Sequence, residues 1–330
     1  MNMTYDFITI GGATRDVSFF TDQGVEIDNR QDVLRQKLLG FESGAKIKVD
    51  KFYYSFGGGA ANAAVNLAHF GLKTACLAAV GDDESGRLIS ANLKQRGVKA
   101  ELLEKVKGEE SGLAFDLIDP QGERILFVER GANRRLAISE KALRAIKSTK
   151  HIYLASLSGD WTKALKKIFS ALDATQTKII WNPGGQQYDK GLKFLAPYLK
   201  KTTVFALNKD EAIELVLSSE KHKHLKRAWL NQTDNLLRVI FSFGPRLVLI
   251  TAGRDGAFAY DGQKIYARKI VKETKRVDTT GIGDIFNSTF AAGLCLYQGD
   301  IDKALTLSLK SAAAKISHQG AQNGLLAYKK

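Results

Sequence analysis

The sequence predicts an α/β fold built on a mostly parallel sheet, and three observations carry that expectation. From residue 150 onward, short apolar runs alternate with helix-length amphipathic stretches, the rhythm of successive βα units. The first apolar run, Phe7-Ile8-Thr9-Ile10, stops at Gly11-Gly12, and open α/β sheets place ligands at the carboxyl ends of such strands. A chain of 330 residues that is 44% hydrophobic can bury a large core, as one large domain or two smaller ones.

In chain order, Asp16 follows the first glycine turn closely and is a candidate for holding a ligand hydroxyl; a solvated turn aspartate has the same spacing. Residues 19–56 leave the βα rhythm. Asp28 to Leu39 reads as a polar segment or short helix, and Lys46 to Phe56 alternates like a strand. Gly57-Gly58-Gly59 then opens a helix of small residues that includes Asn62, a pattern for close backbone approach at a helix N-terminus. The dinucleotide spacing Gly-x-Gly-x-x-Gly is absent from it. Ser111 to Arg130 reads as a hairpin turning at Asp119-Pro120-Gln121-Gly122.

The strands expected after residue 150 are His151 to Leu154, Lys178 to Trp181, Thr203 to Leu207 and Leu247 to Ile250, with a helix from Trp161 to Leu172. Asn208 and Glu211 flank the start of a helix at three-residue spacing. They are either a capping pair or, through one carboxylate, a magnesium-organising pair. Thr251-Ala252-Gly253-Arg254-Asp255-Gly256 is a glycine turn with bare backbone, in which Arg254 is a solvated residue or a phosphate contact.

The most informative stretch is Val277 to Gly293, VDTTGIGDIFNSTFAAG. Gly281 and Gly283 permit a tight turn into a helix whose first N–H groups and dipole form an anion site. Asp284 sits in that first turn. A carboxylate beside an anion site suits proton removal from a hydroxyl that attacks a bound phosphate.

Composition excludes several classes. Four prolines without a low-complexity tract argue against disorder, and no apolar run is long enough to span a bilayer. The start MNMTYDFITIGG does not read as a signal peptide, so a cytoplasmic protein is expected. Cys76 and Cys295 read as buried hydrophobes in a reducing compartment, and the five histidines form no ligand set. The net charge of +14 is spread over helices without a recognition motif, which suits anionic small molecules better than nucleic acid.

The string Asp278 to Asp284, DTTGIGD, resembles the C-terminal signature of the ribokinase-like (PfkB) carbohydrate kinases, with Ile282 in place of the usual alanine. Gly57-Gly58 with Asn62, Asn208 with Glu211, and Thr251 with Gly253 and Gly256 resemble its other signatures, in the family's order and over nearly the whole chain. The resemblance implies a three-layer αβα sandwich in one domain over residues 1–330, with a small β-sheet lid from about 16–56 and 110–131. It implies an ATP-dependent kinase acting on a sugar hydroxyl. Asp284 is then the base, and the amides of Gly281, Ile282 and Gly283 meet the transferred phosphoryl group. Asp16, Gly57, Gly58 and Asn62 bind sugar, with Glu129 or Asn133 also facing substrate. Asn208, Thr251, Gly253 and Gly256 bind nucleotide, and Glu211 organises Mg2+ mostly through water. Ala312 to Gly324 is similar to a region that borders adenine and, in some members, a K+ site. Gly59 stands where ribokinases proper have lysine, which weakens an assignment to ribose.

A homodimer through the lid is compatible with an apolar lid surface. The nearest rival is a nucleoside kinase on the same fold, with Phe52, Tyr54, Phe115 and Phe127 stacking a base, although lid core or dimer contact is the simpler role for these residues. A rival from another class is a non-catalytic sugar- or nucleotide-binding regulator, against which Asp284 and its two glycines argue.

Overall fold

The computed structural model describes residues 5–31, 37–119, 124–172, 175–273 and 275–326. The first third runs β1 (Phe7–Ile10), β2 (Thr14–Phe20), β3 (Val25–Asp28), β4 (Lys37–Gly40), β5 (Lys51–Gly57), α1 (Gly59–His69), β6 (Thr74–Leu77), β7 (Ala79–Gly81) and α2 (Glu84–Gln95). The middle runs β8 (Glu104–Val106), β9 (Gly112–Ile118), β10 (Arg124–Glu129), α3 (Glu140–Ser148), β11 (His151–Leu154), α4 (Trp161–Ala171), β12 (Lys178–Trp181), α5 (Gly185–Tyr188), α6 (Gly191–Leu199) and β13 (Val204–Asn208). The remainder runs α7 (Lys209–Leu217), α8 (Arg227–Leu230), α9 (Thr233–Phe241), β14 (Val248–Thr251), β15 (Ala257–Tyr260), β16 (Ile265–Arg268), α10 (Ile282–Leu296) and α11 (Ile301–Ile316).

Eight strands form the central sheet in the order β16-β15-β14-β13-β12-β11-β1-β6. All are parallel from β6 to β14; β15 then runs antiparallel to β14, and β16 antiparallel to β15. Alternate residues of each strand bury against opposite helix layers. Ile8, Ile10, Ile152 and Leu154 pack with Ile146, Leu165, Leu192, Ile213 and Leu237 of α3, α4, α6, α7 and α9. Phe7, Tyr153 and Ala206 pack with Leu67, Phe286, Phe290 and Leu305 of α1, α10 and α11. The result is the expected three-layer αβα sandwich. From β1 the chain passes first to β6 on one side and later to β11 on the other. The carboxyl end of β1 is therefore the point where strand order reverses, the position of the ligand crevice in open α/β sheets.

A second sheet, β10-β9-β2-β5, stands beyond that end of β1. Its register puts Arg15, Val17 and Phe19 on one face with Phe52, Tyr54, Phe56, Phe115, Phe127 and Glu129, because paired residues share a face. This face is open: Tyr54 is 63% and Phe127 58% exposed. The opposite face carries Thr14, Asp16, Ser18 and Asp116, all buried.

The polar segment or helix expected over Asp28 to Leu39 is replaced, where described, by a ribbon pairing β3 with β4 antiparallel; residues 32–36 lie outside the described residues. Val-Glu-Ile-Asp in β3 does alternate, but four residues are too few to separate a strand from a polar loop. The β9–β10 pairing is the expected hairpin, and residues 120–123 of its turn likewise lie outside the described residues. Cys76 is buried and Cys295 half-buried, both as free thiols. Among the described residues, no helix is long and apolar enough to cross a membrane.

Candidate active site

The site is built on the start of α10. Gly281 caps this helix in the left-handed region at φ +71°, and a Cβ there would lie 2.5 Å from the Ala321 Cβ. Only glycine meets both conditions without strain. Thr280 N–H donates to Asp278 Oδ1 at 2.7 Å and so fixes the residue before the turn. Ile285 N–H closes the first α-turn on Gly281 O at 2.9 Å, whereas Ile282 N–H turns back on Thr279 O at 3.3 Å, a long bond that an anion can displace. Gly283 is exposed, with nothing within 4 Å of the position of a Cβ. The positive end of a 15-residue helix thus faces open space across bare backbone.

Asp284 is half-buried in that first turn. Its Oδ2 accepts from Asn62 Nδ2 at 2.8 Å. Its Oδ1 lies 3.3 Å from where a Gly59 Cβ would start, so a side chain at 59 would crowd that oxygen. Asn62 Oδ1 in turn accepts from Gln322 Nε2 at 3.1 Å, and Gln322 Oε1 accepts from Asn92 Nδ2 at 2.7 Å. The three buried amides point one way: Gln322 and Asn62 each spend their oxygen on the preceding amide, and Asn62 is left with N–H toward the carboxylate. One turn further along α1, buried Asn66 Nδ2 donates to Ser288 Oγ at 2.8 Å and to Thr289 Oγ1 at 2.9 Å. This contact bolts α1 to α10 and fixes Asn62 against Asp284.

The turn from β1 into β2 lies against the start of α1. Gly58 has φ +89°, and a Cβ there would lie 2.5 Å from Gly12 O. The Asp16 carboxylate occupies the space a Gly57 side chain would need. Asp16 Oδ1 accepts from Thr14 Oγ1 at 2.6 Å, and Asp16 is 3% exposed. Asp16, Gly57, Gly58 and Asn62 are therefore brought to one place beside Asp284. Glu129 is not: it shares the open face of the second sheet with Arg15, holds Gly131 N–H at 3.0 Å and pairs with Arg134. Asn133 is buried, but its amide is clamped on Ala13, accepting from N–H at 3.0 Å and donating to O at 2.9 Å. Both side chains, expected to face substrate, are engaged locally, and the structure does not bring Glu129 to the cluster around Asp284. Asp83 is structural: it caps α2 through Gly86 N–H at 2.7 Å and accepts from Ser111 N–H at 2.8 Å.

On the other flank, Asn208 and Glu211 form a complete capping box. Glu211 N–H donates to Asn208 Oδ1 and Asn208 N–H to Glu211 Oε2, both at 2.8 Å. Burial pushes the Glu211 carboxyl up to about 7, against the pull of the Asn208 N–H and the nearby Tyr188 hydroxyl. The buried Tyr153 hydroxyl is raised well above a phenol's usual range, first by burial and then by the charge of Asp284, with a smaller contribution from Glu211. One side chain thus senses both carboxylates. Thr251 is the register partner of Asn208, which brings the Thr251 turn to the same sheet edge. Within that turn Gly253 is open to space, whereas Gly256 packs against Arg268 O and serves the turn itself. The Gly320-Ala321-Gln322 loop, expected to border adenine, packs under the anion turn, with Ala321 on Gly281 and Gln322 on Asn62.

Sequence reading missed Gln322, Asn92 and Asn66. Asn66 had a signal, since it lies four residues after Asn62 on the same helix face. The other two had none, because Asn92 and Gln322 are 230 residues apart.

Comparison with known proteins agrees with this geometry. The pfkB family carbohydrate kinase profile matches residues 29–327. An uncharacterized sugar kinase of Archaeoglobus fulgidus is 30% identical over 79% of this chain and 98% of its own length. The structure of Arabidopsis thaliana ribokinase complexed with ribose and ATP superposes with a TM-score of 0.77 at 20% identity, covering 98% of this chain and 96% of that one. A Burkholderia thailandensis nucleoside kinase in complex with inosine has the same fold, with a TM-score of 0.75 at 18% identity, covering 97% and 94%. The chain belongs to the pfkB carbohydrate kinase family, phosphotransferases that transfer a phosphoryl group from ATP to a sugar hydroxyl.

Proposed function

We propose that Asp284 removes the proton from the sugar hydroxyl while the first amides of α10 receive the transferred phosphoryl group. The observation that carries this reading is the hydrogen bond from Asn62 to Asp284 Oδ2, which fixes the carboxylate at the mouth of an anion-binding helix N-terminus and leaves its other oxygen over Gly59. Asp16, with the bare backbone of Gly57 and Gly58, holds sugar hydroxyls beside that oxygen. Thr251 and Gly253 lie along the nucleotide, which reaches the site from the β13–β14 edge. Positioning and electrostatics supply most of the rate in phosphoryl transfer.

Mg2+ fits this donor set. Glu211 commits one oxygen to Asn208 N–H, and its other oxygen suits a hard cation that keeps most of its waters. Among the described residues no three His, Cys, Asp or Glu gather at one place, and in this reading phosphates and water provide the remaining ligands. The bound ion supplies charge neutralisation at the phosphates.

The sheet β10-β9-β2-β5 acts as a lid, and its open aromatic face is the surface for a second copy. The register argues against the nucleoside alternative in the form expected, because Phe52, Tyr54, Phe115 and Phe127 lie on the face opposite Asp16. Asp284→Asn keeps the hydrogen-bonding shape and removes the base. Turnover should fall by about 10²–10⁴-fold, the usual worth of a general base, with sugar and ATP binding by calorimetry little changed. Turnover within a few-fold of the parent sinks the assignment.

A further inference from the structure

Lys315, near the end of α11, has 0% of its side chain exposed. Its Nζ donates to Asp278 O at 2.8 Å and lies 3.8 Å from Asp278 Oδ2. The Asp278 carboxylate is also 0% exposed and accepts from Thr280 N–H and Gly320 N–H, both at 2.7 Å. It therefore ties together the turn that opens α10 and the loop beneath it. Taking a lysine fully out of water is costly, and such a group persists only where its charge is matched. Nothing in the base chemistry or the sugar contacts uses it.

Its place indicates a purpose. Asp278 lies three residues before Gly281, at the base of a site that must accept polyphosphate. An unmatched carboxylate there would repel the ligand and strain the turn. A monovalent cation against Asp278 O and Oδ2 removes both problems. The K+ site that the resemblance implied fell within residues 312–324, which include Lys315, and here the oxygens of Asp278 are already met by that ammonium group tethered through α11. A potassium ion cannot share that position, so K+ does not fit.

We infer that Lys315 is a built-in monovalent cation that holds the anion turn in shape, and that phosphoryl transfer by this chain does not depend on K+. Lys315 is a positioning residue that acts through Asp278 and the Gly281 turn. The inference rests on the kinase reading above, and its test separates the two.

Turnover is measured in KCl, NaCl and tetramethylammonium chloride at equal ionic strength, which cancels general screening. The wild-type rate should agree within about two-fold across the three salts, since ionic strength alone no longer differs. Activation by K+ of about tenfold or more over tetramethylammonium, a full 1.4 kcal/mol of specific coupling, overturns the inference. Lys315→Ala leaves a cavity beside a buried carboxylate. It should lose about tenfold or more in tetramethylammonium, as expected when one partner of a buried pair is removed, and recover in part with K+ or ammonium. Lys315→Met fills the space without charge and should lose as much without recovering. Full activity of either variant in tetramethylammonium also overturns it. A variant that fails to fold leaves the wild-type salt series decisive. If no sugar is phosphorylated at all, the kinase reading has failed, and wild-type melting still tests the cation: a rise specific to K+ overturns Lys315 as its replacement.

Discussion

Gln322 touches no substrate in the proposed chemistry, yet it decides which way the Asn62 amide points. With its Nε2–H on Asn62 Oδ1, Asn62 can offer only N–H to Asp284. Gln322→Leu removes that constraint and leaves a buried amide oxygen unsatisfied, at about 1–3 kcal/mol. The expected result is a drop in kcat of about tenfold or more, corresponding to at least 1.4 kcal/mol, with KM for ATP nearly unchanged. A merely structural residue would lower stability and leave the kcat of the folded fraction alone, so active-site titration beside the kinetics separates the two. Residue-scale legibility followed the same division. Asp284, Gly281 and Asn62 were readable because their chemistry is local, a glycine spacing or a helix start. Asn92 and Gln322 have meaning only through contacts between distant segments. The local engagement of Glu129 with the Gly131 turn and Arg134 was not legible, because only the sheet register reveals it.

At the scale of elements, the start of α7 combines a structural cap with a titrating group. The capping box is as legible in Asn208-x-x-Glu211 as any local motif, and its double use follows from burial, which sequence does not give. Burial raises the Glu211 carboxyl from 4.5 to about 7. A raised acid opposes folding as it ionises: the cost is absent well below its ordinary value, grows between the two values, and is full above the higher one. A cation bound at Glu211 reverses that cost and needs the ionised form. Stabilisation by Mg2+ with ADP, measured as a melting shift, should therefore increase as pH rises through about 7. Glu211→Gln should flatten that dependence while keeping much of the cap. An unchanged pH dependence in the variant would remove Glu211 from the metal role.

For the whole molecule, the βα rhythm after residue 150 was enough to foresee the sandwich, since parallel strands buried on both faces leave continuous apolar runs. The second sheet was less legible, because its strands come from three separated parts of the chain and one face stays apolar and open. That open face leads to a molecular prediction. A protein with Tyr54 and Phe127 largely exposed on one sheet should pair with a copy of itself. The double variant Tyr54→Glu, Phe127→Glu should sediment as a monomer where the parent sediments as a dimer. A parent that is monomeric at micromolar concentration rejects lid pairing.

The bond between Asn62 and Asp284 spans 222 residues, and that between Gln322 and Asn62 spans 260. During synthesis α1 must wait for its partner α10. At ~5–20 residues per second those 222 residues take on the order of 10–40 s to emerge. Until then the growing chain can fold much of its sheet but has no base and no anion turn. Under the proposed chemistry, chains cut short before α10 should consume no ATP, since they lack Asp284 and the Gly281 turn.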